Sequence, residues 1–166
     1  MFRNVLVGVD GSASAAQALG EAIDIARASG GRIGLLGVAG TPSPWIALTP
    51  FALPVSRSDV AAQLDAETQR HVDEAERCVP ADVPVTKLLA HGSAAKALLA
   101  QVDGGRWDLV VVGHRTDRDR RPLRRGVGDW LLRRSPVPVL VIRSAPAAPA
   151  IHDERAYERL PLAVGK

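Results

Sequence analysis

Apolar and polar positions alternate along the chain in blocks. Asn4 to Val9 (NVLVGV) is a short apolar, valine-rich run that stops at Asp10-Gly11-Ser12. Apolar positions then recur at helical spacing through Ala15, Ala18, Leu19, Ala22, Ile23, Ile25 and Ala26, until Gly30-Gly31. Three-to-four spacing of this kind predicts an amphipathic helix to about Ser29, with Ser12 or Ser14 as its N-cap and the glycine pair as its stop. Arg32 to Val38 predicts a second strand, although Gly34 and Gly37 weaken it. Asp59 to Cys78 predicts a second helix, with Ser58 as cap and Leu64, Val72 and Ala75 as its inner stripe. Val83 to Ala90 is a third strand, and Ala94 to Val102 a third helix ended by Gly104-Gly105. Leu109 to Val112 is a fourth strand, Asp129 to Arg134 a short fourth helix, and Val139 to Ile142 a fifth strand. Apolar runs this short, separated by helices, are strands buried on both faces of a parallel sheet. Strict alternation of strand and helix implies right-handed crossovers, helices on both faces and the strand order 3-2-1-4-5.

That order places a topological switch point between the first and fourth strands. Asp10 and Gly113 flank it, where open α/β sheets hold ligands. Two segments fall outside the pattern. Residues 41–56 carry Pro42, Pro44, Pro50 and Pro54 with Trp45 and Phe51, which fits a lid or contact loop as well as a surface excursion. Residues 145–166 begin rich in proline and alanine, and are expected to be a partly disordered extension of a domain spanning 1–144.

A chain of 166 residues suits one domain. No stretch approaches the roughly 18 continuous apolar residues of a membrane span, and no leader precedes Val5-Leu6-Val7, so a cytoplasmic protein is expected. The single cysteine, Cys78, excludes an intrachain disulfide, fits a reducing compartment and is expected to be a small buried hydrophobe. Net charge is +3, yet residues 114–134 hold eight arginines against three aspartates, so the remainder is slightly acidic. Basicity confined to one loop argues against a protein that coats nucleic acid.

Candidate chemistry concentrates at the switch point. Asp10 could accept hydrogen bonds from a ribose hydroxyl or an adenine amino group, or could simply cap a helix. Gly113 permits close backbone approach, or is a turn glycine. Gly126, Val127 and Gly128 would offer consecutive N–H groups to a phosphate at the start of the fourth helix. Arg115, Arg118, Arg120, Arg121, Arg124 and Arg125 could clamp phosphate oxygens, or form a solvated loop partly neutralised by Asp117 and Asp119. His71, His91, His114 and His152 show no metal-ligand spacing. There is neither a GxxxxGK[ST] phosphate loop nor a GxSxG nucleophile elbow, and no catalytic nucleophile stands out.

The stretches NVLVGVDGS, HGSAAKALLA, DLVVVG and SPVPVLVIR together resemble the universal stress protein family, over about residues 1–144. That family's nucleotide motif reads G-x2-G-x9-G-[S/T]. Gly113 and Gly126 match its first and third glycines, while Thr116 stands at the second glycine and Val127 at the serine or threonine. The resemblance implies a Rossmann-like three-layer α/β/α fold around a five-stranded parallel sheet, a role in stress response or signalling, and often a homodimer through strand five (Val137 to Ile142). It also implies a site for ATP, or AMP or ADP, accompanied by Mg²⁺. In such a site Val9, Asp10 and Gly11 would meet the ribose or adenine, Val38 would lie near the base, and Val112 to Arg115, Thr116 and Arg125 to Gly128 would surround the phosphates. ATP hydrolysis would be slow at most.

Three functions remain open from the sequence. The chain is a nucleotide-binding signalling module, an interaction protein that keeps only the fold and dimer, or an electrostatic binder of nucleic acid. The last would be separated by its salt dependence.

Overall fold

A computed structural model of the chain describes residues 1–41, 57–114 and 126–143. The proline-rich segment, the arginine-dense loop and the C-terminal extension lie outside them. Strand β1 (Asn4–Val9) leads into helix α1 (Ala13–Ser29), then β2 (Arg32–Ala39), α2 (Arg57–Cys78), β3 (Val85–His91), α3 (Ala94–Asp103), β4 (Leu109–His114), α4 (Val127–Leu132) and β5 (Val139–Arg143). The strands form one parallel sheet in the order β3-β2-β1-β4-β5.

Each central strand is apolar on both faces because both faces are covered. Val5, Val7 and Val9 of β1 share a core with Ala18, Leu19, Ala22 and Ala26 of α1 and with Val72 and Ala75 of α2. Leu6 points the other way, into a second core with Leu98 and Val102 of α3, Leu131 of α4 and Trp107. Burying one such leucine contributes about 1.5–3 kcal/mol, and removal from water is complete at Leu6, Leu98 and Leu131.

The two glycines that weaken β2 as a sequence prediction are required by its neighbours. A Cβ at Gly34 would lie 2.2 Å from the Trp107 ring, and one at Gly37 would lie 2.5 Å from Val72 and 2.8 Å from Thr68. Large side chains from flanking elements occupy the space, so the strand persists with glycine in it.

Several predicted boundaries are corrected. Helix α2 begins at Arg57, so Ser58, the predicted cap, lies within the helix. Strand β3 begins at Val85, beyond the predicted Val83. Pro84 has no N–H to give the ladder, and only its carbonyl joins in, accepting from the Ile33 N–H at 2.9 Å. Helix α4 begins at Val127 and ends at Leu132, earlier at both ends than its charged residues suggest. Cys78, expected to be buried, is exposed at the last residue of α2.

Candidate functional site

The strand register brings the candidate residues to one crest. Val9 of β1 pairs with Gly37 of β2, so Asp10 and Val38 emerge at neighbouring strand ends. On the other side Val7 pairs with Val111, so in the same register Val112 and Gly113 of β4 follow beside Gly8 and Val9, one residue short of Asp10. The strand order reverses between these two strands, and α/β sheets open a crevice at such a point.

Asp10 is exposed at the end of β1. Its Oδ1 accepts a hydrogen bond from the Ser12 N–H at 3.0 Å and another from the Ser12 hydroxyl. Ser12, and not Asp10, is the N-cap of α1, accepting from the Ala15 N–H at 3.2 Å. Asp10 therefore orients the capping serine and is not itself the cap. Between them Gly11 has φ +72°, the left-handed conformation that glycine enters without strain. Ser14, buried in the first turn of α1, lies 3.1 Å from the Ser12 hydroxyl.

The remaining candidate glycines separate by what surrounds them. A Cβ at Gly113 would sit 2.5–2.6 Å from backbone atoms of Ser14 and Ala15, so β4 approaches the first turn of α1 backbone to backbone. Gly128 is buried in the first turn of α4, and a Cβ there would lie 2.9 Å from Val141 and 3.7 Å from Val112. Gly126 is the N-cap of α4, exposed, with no atom within 4 Å of where its Cβ would be. Thus close approach to the chain itself accounts for glycine at 113 and 128, but not at 126. Among the described residues no side chain caps α4, and Val127, its first residue, is 37% exposed. Helix N–H groups without a side-chain partner are suited to an anion.

Val112, buried, and Val38, half-buried, form the apolar floor beneath the crest, whereas Val9 is buried in the α1–α2 core on the opposite face of the sheet. Val38 and Val112 belong to the same core, on the α3–α4 side of the sheet. Arg115, Thr116 and Arg125 lie outside the described residues. Among the described residues no group of three or more His, Cys, Asp or Glu side chains could hold a metal ion. Asp129, in the first turn of α4, is the carboxylate nearest in sequence to the proposed phosphate site.

Two features were not predicted. A cleft of about 320 Å³ opens between α2 and the ends of β2 and β3, lined by Ala39, Asp65, Thr68, Gln69, Leu89 and His91. His91 Nε2 lies 2.9 Å from Asp65 Oδ1 at its edge. None of the predicted site residues lines this cleft. The second feature is His71 of α2, whose imidazole packs directly against Gly11.

The universal stress protein family model matches residues 1–143. The chain belongs to the universal stress protein family. Solved structures agree on the fold. The universal stress protein UspA from Lactobacillus plantarum is 23% identical with a TM-score of 0.66, over 85% of this chain and 97% of that one. A universal stress protein in complex with cAMP is 23% identical with a TM-score of 0.57, over 87% of this chain and 98% of that one. A universal stress protein family protein from Arabidopsis thaliana with AMP bound is 18% identical with a TM-score of 0.53, over 87% of this chain and 93% of that one. No curated protein matches the chain. For this universal stress protein, no helix among the described residues is long and apolar enough to cross a membrane.

Proposed function

We propose that this universal stress protein binds an adenine nucleotide at the crest between β1 and β4 and acts as a nucleotide-responsive module in stress response or signalling. The observation that carries the reading is Asp10: an exposed carboxylate at the switch point, fixed by Ser12, beside an apolar floor. A carboxylate so placed accepts from ribose hydroxyls or an adenine amino group, while the half-buried Val38 offers apolar surface to the base. The N-terminus of α4 at Gly126, which no described side chain caps, is where the phosphates would be met. Relatives of this fold with cAMP or AMP bound support an adenine ligand.

The fit is better for the nucleoside than for a triphosphate with its metal. Valine at 127 supplies no hydroxyl, and Asp129 adds negative charge to the first turn of α4. The nucleotide therefore relies on Asp10 and on backbone N–H groups, and AMP is the ligand to test beside ATP with Mg²⁺. A purified sample examined by native mass spectrometry, then denatured and re-examined, would release an adenine nucleotide under this reading. A sample that carries none and gains none from millimolar AMP or ATP would instead support a universal stress protein that keeps only the fold and its interactions. The same proposal includes a homodimer through the edge strand β5.

A further inference from the structure

The β1–α1 turn is built on a glycine, and glycine alone does not hold a turn. Gly11 has φ +72°, and a residue without a Cβ moves between positive and negative φ at little cost. If Gly11 left that conformation, the Ser12 N–H would swing away from Asp10 Oδ1, which it now meets at 3.0 Å. Something must remove the freedom, and α2 supplies it. A Cβ at Gly11 would lie 2.5 Å from His71 Nε2 and 2.7 Å from Cδ2 and Cε1, so the imidazole fills the side-chain space of position 11.

The contact belongs to a ridge. Thr68 and Val72 of the same helix fill the space above Gly37 of β2, next to the turn. Helix α2 thus seats its inner face on two adjacent glycines, one in the sheet and one in the turn. His71 is half-buried and forms no hydrogen bond with a described residue, so its contribution here is shape.

From this geometry we infer that His71 is a positioning residue for the nucleotide site: its ring holds the Gly11 turn so that Asp10 and Ser12 stay preorganised. The inference rests on the nucleotide-binding reading for its effect on affinity, but not for its effect on the turn. A turn fixed before binding leaves less ordering to be done by the ligand, which raises affinity without adding a contact.

The test uses the full chain, with His71→Ala, His71→Phe and His71→Gln. Titration calorimetry with AMP measures affinity, and NMR hydrogen exchange at the Ser12 amide measures the turn. His71→Ala is expected to weaken AMP binding about tenfold and to speed Ser12 exchange. His71→Phe, which keeps a flat ring, is expected to restore both. Wild-type AMP affinity and Ser12 exchange in His71→Ala would overturn the inference, whatever happens to the melting temperature. Recovery of affinity by glutamine but not by phenylalanine would also overturn it, because a ring nitrogen would then be touching the ligand. If the wild type takes up no AMP, the nucleotide reading falls, and unchanged or accelerated Ser12 exchange in His71→Ala still decides whether the ring holds the turn.

Discussion

A methyl group on Gly113 would be driven to within 2.5–2.6 Å of the Ser14 and Ala15 backbone, and neither partner has a flexible side chain that could yield. Gly113→Ala is therefore expected to lower stability by about 1–3 kcal/mol, the cost of overpacking, as read from urea unfolding. A variant as stable as the wild type would mean that α1 can slide away from β4. Val127 makes the complementary case, a position where affinity should move and stability should not. It is the first residue of α4 and partly exposed, so Val127→Ser creates a hydroxyl donor without opening a cavity. Under the nucleotide reading that donor adds about 1.5–3 kcal/mol, ten- to a hundredfold in ATP affinity. Calorimetry on both proteins checks it, and equal affinities would show that phosphate does not reach α4. The placement of Asp10 and Gly113 at neighbouring strand ends was legible in the sequence because each follows an apolar run. The contact of His71 with Gly11 was not legible, since Gly11 lies on another element and the helical stripe marks only Leu64, Val72 and Ala75 as inward.

At the scale of elements, the strands were readable because a parallel sheet covered on both faces needs uninterrupted apolar runs, as Leu109 to Val112 provides. Ends were less readable where glycine and proline serve packing. Gly128 looks like loop punctuation, yet it is buried in α4 to admit Val141. Helix α2 is also tied to β3 by charge: Lys87 Nζ lies 3.0 Å from Asp73 Oδ1 and 2.9 Å from Glu76 Oε2. Lys87, and after it Gln69, hold the Asp73 carboxyl below the usual carboxylate range. Glu76, then Asp73, hold the Lys87 ammonium above the usual lysine range. A lowered carboxylate stabilises the fold above its ordinary titration range and ceases to do so as pH falls through its folded value. The raised lysine contributes below its ordinary range and is lost as pH rises through its folded value. Lys87→Met should thus be less stable than the wild type at neutral pH, and the difference should close in acid. Urea midpoints from neutral pH to below the usual carboxylate range measure this; a gap that stays constant to the acid end would show that the pair adds nothing pH-dependent.

At the scale of the molecule, β5 ends the sheet, with Val139 to Ile142 only half-buried. An apolar sheet edge favours pairing with another chain, and a two-fold dimer would cover both copies at once. Light scattering at tens of micromolar is expected to give twice the chain mass; monomer alone in the wild type would contradict the pairing. The strand order, unlike the loop chemistry, could be read from sequence because alternation and handedness leave few arrangements.

The central claim is that an adenine nucleotide is held by Asp10. Its most direct test is titration calorimetry of AMP into the wild type and Asp10→Ala, with urea unfolding of both. Removing the carboxylate loses its two bonds to Ser12, which should cost about 1 kcal/mol of stability. Loss of a charge-assisted bond to the ligand should cost about 1.5–3 kcal/mol of binding, a ten- to hundredfold weaker affinity. Saturable heat in the wild type that weakens to that extent in Asp10→Ala is the predicted result. Equal AMP affinity in the two proteins, or no heat from either at millimolar AMP, would contradict it.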